Sequence, residues 1–409
     1  GGELLLEVYT QDIAGQWFRF STIHNQVAPE PVDGYLVYRL LAPIYNQWSH
    51  LGLYQRHLAT FREVPLVEND RLERKCINCH TFLNNQPQSF FFHTRSGDPA
   101  MVLVQDGSVS RVDTRTANVP RPATYAAWHP TGHYIAFSFN RIRQFFHTYG
   151  NEPRDVVDLD SGVAIFEVAT RTLIRPTATT RADRLETFPT WSPDGRTLYY
   201  CSAPTPWAPT QWIPYQHVKK VRYDLVRAPF DPATRRLGTP QTLLAAARMG
   251  KSLLEPRVSP DGRFLLFTAC DYGSFPIHQD HSDLFLLDLK APGLGPRPLD
   301  PAPGTRRDSW HCWSSNGRWI VFSRKGENRV LARPYLRYIH RDGRAAKPFV
   351  VPQEDPRFYD RFVNTYNAPE LVAGAVPIPA HRLARAVLTS PLEKATEATP
   401  PQQLAENAP

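Results

Sequence analysis

The chain of 409 residues has no run of about 18 apolar residues, so no segment reads as a membrane-spanning helix. Methionine is scarce, with two residues, and cysteine nearly so, with five. Glycine (22) is outnumbered by proline (39), which disfavours long helices and favours short elements joined by turns. No block of like charge occurs. The densest basic stretch, Arg71-Leu72-Glu73-Arg74-Lys75, contains a glutamate, so the net charge of +8 is scattered rather than gathered into a nucleic-acid patch. No nucleic-acid motif is present, and none of that partner class is expected. No catalytic triad, carboxylate pair or metal cluster stands out. What is present is 42% hydrophobic and 21% charged residues, enough for a sizeable core. Aromatics reach 12% and favour strands, so a long, turn-rich, all-β chain is expected.

Two of the five cysteines form Cys76-Ile77-Asn78-Cys79-His80, the C-x-x-C-H pattern of c-type haem attachment. The chemistry needs that spacing: two thiols add across the haem vinyl groups, and the adjacent histidine supplies the proximal iron ligand. A thioredoxin-like pair wants a βαβ context, and a zinc site wants a second C-x-x-C or H-x-x-x-H; neither is found. The motif predicts one covalent haem c, with Cys76 and Cys79 as thioethers and His80 as proximal ligand. Such attachment takes place outside the cytoplasm. A periplasmic or extracellular protein is therefore expected, with a signal peptide already removed before Gly1. Cys201, Cys270 and Cys312 remain; a bridge between Cys201 and Cys270 is one option, buried thiols the preferred one.

A repeat runs through most of the chain. Trp128-His-Pro-Thr-Gly132, Trp191-Ser-Pro-Asp-Gly195, Val258-Ser-Pro-Asp-Gly262 and Trp313-Ser-Ser-Asn-Gly317 each precede a run of β-formers, at intervals of 63, 67 and 55 residues. Proline, Asp or Asn, and glycine supply a tight turn between two strands, with glycine at positive φ. Third strands are expected at 162–168, 223–230, 282–289 and 331–339, and fourth strands at 173–177, 241–246, 297–300 and 347–352. A degenerate fifth copy runs from Cys79 through 113. Four antiparallel strands recurring radially describe a β-propeller blade.

These anchors resemble the W-S-P-D-G repeat of TolB-like propellers over roughly residues 76–352. The fuller pattern of Cys76 to His80, His93, Trp128-His-Pro, Met249-Gly-Lys-Ser and Lys347-Pro-Phe-Val resembles exported haem-c propeller proteins, a family whose name implies fold and compartment but no settled activity. A propeller of six blades is expected, with seven as second choice. Residues 1–75 read as an N-terminal β-rich extension or closing blade, 76–352 as the haem-bearing propeller, and 353–409 as an irregular extension and tail.

In a propeller blade the first strand lines the channel, and the S-P-D-G turn lies at the bottom. Cys76 to His80 therefore belongs at the top mouth. The long connections 139–159, 202–222 and 271–281 share that face and carry His147, His217, His278 and His281. Only Met101 and Met249 offer sulfur ligands. His147 is ranked first as the sixth iron ligand and Met249 second. His93 would lie on the strand beside His80, too close to reach the opposite face of the iron. His129 and His133 flank a bottom turn and are expected to be structural.

The first function expected is electron transfer by an exported monohaem c-type cytochrome within a larger redox assembly. Other redox proteins or cytochrome subunits would be its partners, and the tail from Pro391 to Pro409 would lie along a neighbouring chain. A haem-dependent oxidoreductase with an open iron is the second. It is similar to cytochrome cd1 nitrite reductase, whose eight-bladed propeller and separate cytochrome domain exceed this chain. A TolB-like interaction scaffold with structural haem is the third.

Overall fold

The computed structural model describes residues 1–42, 50–147, 154–207, 215–304, 306–326 and 330–398. Six sheets stand around a central channel. Blade two comprises Ile77–Phe82, Ser89–Thr94, Ala100–Gln105 and Ser108–Asp113, from the channel outward. Blade three has Ala123–Trp128, Tyr134–Phe146, Arg154–Glu167 and Thr172–Ile174. Blade four starts with Arg184–Trp191 and Thr197–Pro204, blade five with Ser252–Val258 and Phe264–Cys270, and blade six with Asp308–Trp313 and Trp319–Lys325.

Blade one closes the ring. Its outer strands are Tyr35–Leu41, Gly52–His57 and Glu63–Glu68, but its innermost strand is Thr365–Val372, paired antiparallel with Tyr35–Leu41. The region 353–409 is thus less irregular than its composition predicts. Helix Ala380–Thr389 buries Leu383, Ala384 and Val387 against the seam of blades one and two. Leu392–Lys394 and Thr396–Glu397 then add parallel edge strands to blades two and three. Those residues pair with the chain's own blades rather than awaiting a neighbour, because two outer strands offer unpaired backbone groups there. The rest of the expected tail, 399–409, lies outside the described residues. Residues 2–27 form an exposed pair of two-stranded ribbons.

Each seam between neighbouring blades holds one apolar cluster, so burial is shared around the ring rather than gathered at one centre. Leu36, Tyr38, Val321 and Leu336, for example, join blade six to blade one. The turns behave as their residues demand. Gly195, Gly262 and Gly317 have φ of 70°, 70° and 66°. His129 bridges two such turns, with Nε2 3.0 Å from the Gly195 carbonyl and Nδ1 2.8 Å from Thr131 Oγ1, a structural role. Among the described residues no helix is long and apolar enough to cross a membrane.

Candidate functional site

Every innermost strand carries a β-bulge at the same point. The register slips between Asn78 and Thr81, Thr124 and Ala127, Thr187 and Thr190, Leu254 and Arg257, Ser309 and Cys312, and Asn367 and Glu370. One left-handed residue sits in each: Cys79, Tyr125, Phe188, Glu255, Trp310 and Ala368, with φ between 44° and 55°. Such φ values cost a non-glycine residue about 1–3 kcal/mol, and bulges re-aim side chains beside functional sites. In five blades this residue lies three positions before the repeat's anchor (Phe82, Trp128, Trp191, Val258, Trp313), an offset legible in the repeat; Ala368 of blade one lies in a segment read as irregular. The second cysteine of the motif is therefore the bulge residue of blade two.

Above this ring lies a cavity of about 440 Å³ at the mouth of the channel. Cys76, Asn78 and Cys79 form part of its wall. Tyr125, Phe275 and Trp310 supply aromatic faces, with ring centroids 5.9 to 6.3 Å apart, and Phe188 packs 4.5 Å from Tyr125. Arg39, Arg74, Arg95, Arg154 and Lys325 also line it, and no aspartate or glutamate does among the described residues. A second cavity of about 480 Å³ opens at the other end, walled by turn residues such as Ser192, Pro193, Pro260 and Ser315. The C-x-x-C-H segment and the S-P-D-G turns thus occupy opposite mouths.

The thiols are held firmly. Cys76 is buried, its amide donating to Ser96 Oγ at 2.8 Å, and burial raises its thiol pKa. Arg39 reaches from blade one to bond the Ile77 carbonyl (3.2 Å) and the Asn78 side chain. The Cys79 amide donates to Asn78 Oδ1 at 3.0 Å. All five cysteines are unbridged; Cys201 and Cys270 are buried thiols in one cluster.

The histidines are distributed differently from expectation. His80 is absent from the cavity wall. Cys79 reaches the wall, whereas the ring of His80 is buried beside Val37 of blade one. Burial first, then the Arg39 charge, holds its imidazole pKa at about 3, so the ring is neutral. His93 is also buried, with Nδ1 3.2 Å from the Cys79 carbonyl. His147, expected as sixth ligand, is likewise not on the wall: its Nε2 lies 3.0 Å from Asp155 Oδ2. The reason is that 139–159 is not a loop folding over the mouth. Tyr134–Phe146 and Arg154–Glu167 stay paired out to Phe146 and Arg154, carrying His147 beyond the cavity. Met249 ends the short helix Ala246–Met249 and packs on the core around blades four and five, away from the wall. His278, which the sequence placed among the loop histidines without ranking it, does line the cavity.

A haem group can be tested against these residues. Two thiols on the wall, aromatic faces and a rim of arginine and lysine suit an apolar macrocycle bearing two carboxylates. His80, the motif's histidine, is not on that wall.

The chain matches no protein-family profile, and no curated protein matches it. Solved structures do resemble it. TolB from Acinetobacter baumannii is 14% identical, with 90% of this chain and 82% of that one covered at a TM-score of 0.53. Hydrazine synthase from Kuenenia stuttgartiensis is 11% identical, with 84% of this chain and 47% of that one covered at a TM-score of 0.50. At such identities the likeness is one of fold. With six blades and the likeness to TolB over most of its length, the chain has a TolB-like β-propeller fold.

Proposed function

We propose that this chain is an exported monohaem c-type cytochrome built on a propeller, passing single electrons at the channel mouth. The observation that carries this reading is the placement of both C-x-x-C-H thiols on the wall of a cavity whose charged side chains, among the described residues, are all cationic. A bound haem c would supply one-electron chemistry there. Cys76 and Cys79 would hold it covalently. Arg39, Arg95 and the other cations of the wall would offset the charge of its carboxylates, and Tyr125, Phe275 and Trp310 would help exclude water. The blade-three hairpin, through Ile142, Gln144 and Val156, walls one side and gives other redox proteins or cytochrome subunits a surface at which to dock close to the group. Export to the periplasm or cell exterior follows from the covalent attachment.

The test is expression with cytochrome c maturation machinery. Mass spectrometry is expected to show one haem adduct, lost in the Cys76→Ser/Cys79→Ser variant. An optical redox titration is expected to show a single one-electron transition. An unmodified mass rejects the proposal. A haem that binds carbon monoxide without any variant being made would favour the open-iron oxidoreductase instead.

A further inference from the structure

We propose that the N-terminal hairpin is a dimerisation arm, whose apolar face packs against the same face of a second copy of this chain. The proposal stands apart from the haem reading. Gly2–Leu6 pairs with Ile23–Val27, and Tyr9–Gln11 with Trp17–Arg19. The Phe20 amide donates to the Val8 carbonyl at 2.9 Å, which joins the two ribbons into one hairpin. Every residue from 1 to 27 except Thr22 is exposed. A two-stranded hairpin standing alone is marginal in water; it gains stability from further strands or from a covered apolar face.

Register sorts the side chains into two faces. In the first ribbon Leu6 stands opposite Ile23 and Gly2 opposite Val27, so Leu4, Leu6, Ile23 and Val27 share a face. In the second, Phe18 takes the face away from Tyr9 and Arg19, and Val8 and Phe20 continue it by alternation. These seven apolar side chains are 37% to 56% exposed. Thr10 and Asn25 are the polar members of the face, and none of its members is charged. The charges lie on the reverse face among Leu5, Tyr9 and Trp17. There His24 Nδ1 is 3.0 Å from Glu3 Oε1, and Arg19 Nη1 is 3.7 Å from Glu7 Oε1.

A second copy is the occupant that these features suit. Two identical uncharged faces meet about a two-fold axis without like-charge repulsion. A partner selected by charge would meet the reverse face, where the carboxylates are already paired. The seven side chains leave roughly 600 Å² uncovered per copy, and roughly 1,200 Å² over two copies reaches the size of a specific interface. Stacked face to face, the two hairpins make four strands in two layers. The arm is rooted on the turn of blade six, where Asn316 Nδ2 donates to the Pro31 carbonyl at 2.7 Å and Trp319 Nε1 to the Glu30 carbonyl at 2.9 Å. That turn lies at the mouth opposite Cys76 and Cys79.

The test is sedimentation equilibrium of the full chain, made with the maturation machinery, over a concentration series. Native protein is expected at twice the mass of one chain. The Leu6→Glu/Phe20→Glu variant is expected at the mass of one chain, with the circular dichroism of the native blades. Leu5→Ser/Trp17→Ser, altered on the reverse face, is expected to remain dimeric. Native protein at the mass of one chain throughout overturns the proposal, and flotation with phosphatidylglycerol vesicles would then identify a lipid surface as the occupant. A dimer that persists in Leu6→Glu/Phe20→Glu also overturns it. If that variant does not fold, Phe20→Ser replaces it under the same criterion. Haem content, measured by mass on the same samples, reports on the haem reading separately, so the two failures are distinguishable.

Discussion

His80 and His311 occupy the same place in two blades. Each is the residue after the bulge of an innermost strand, and each is buried with its Nε2 unpartnered. His311 lies against blade five, its Nδ1 3.3 Å from Thr268 Oγ1, as His80 lies against blade one. The direction of the His80 ring is therefore set by the propeller and not by the cysteine motif it follows. A bulge places consecutive side chains on different sides of the strand, so Cys79 and His80 separate.

The turn glycines should differ in what a methyl group costs. A Cβ on Gly262 would meet nothing nearer than 3.9 Å, leaving only the φ of 70°. Gly262→Ala should cost about 1 kcal/mol. A Cβ on Gly195 would meet His129 Nε2 at 2.2 Å, and His129 would have to leave the Gly195 carbonyl. Gly195→Ala should cost at least twice as much, read from denaturant midpoints. Equal losses would mean that the turns do not stack as described.

Glu370 gives a pH signature. Burial raises its pKa to about 7, against the hydrogen bonds from the Phe82 amide and Thr81 hydroxyl, each 3.0 Å. The folded pKa lies above the unfolded value, so the protonated carboxyl favours the fold below the unfolded pKa of 4.5. That contribution is lost as pH rises through about 7. Glu370→Gln should remove the loss. Between pH 4 and 8 the native protein should fall relative to the variant by on the order of 3 kcal/mol. Urea unfolding at both pH values measures it, and parallel curves would refute it.

The C-terminal region should behave as part of the fold. Truncation after Pro352 removes Thr365–Val372, the inner strand of blade one, and should prevent cooperative folding altogether. Truncation after Ser390 removes two edge strands, the Arg171–Glu393 ion pair (2.6 Å) and the Glu397 bonds to Asn118. It should cost about 2 kcal/mol and lower Tm. Calorimetry of the two truncated chains beside the full one distinguishes these outcomes.

Thiol reactivity should divide the cysteines. Cys201 and Cys270 are fully buried, and burial raises both thiols. They should react with an aromatic disulfide reagent only on unfolding. In protein made without haem attachment, Cys79 is partly exposed and should react first. Native protein with haem attached should show neither Cys76 nor Cys79. Rapid labelling of Cys201 in the folded chain would contradict the packing of the seam.

Much of the architecture was determined by the sequence itself. Trp191-Ser-Pro-Asp-Gly195 and its relatives specify turns through local chemistry, since proline presets one φ and glycine accepts a positive one. Four blades, the compass of the fifth, and the sharing of one mouth by Cys76, Cys79 and the connection 271–281 followed from that periodicity. Only tertiary structure decided the rest. Blade one draws its inner strand from Thr365–Val372, far from Tyr35–Leu41 in the chain, and no local pattern encodes such a partner. The pairing of Phe146 with Arg154 carried His147 past the cavity, and the bulge at Cys79 parted His80 from the thiols. The connection after the second strand of blade five brought Phe275, Ile277 and His278 to the wall. Which side chains meet over a channel depends on closure of the whole ring, a relation among distant strands that local spacing does not contain.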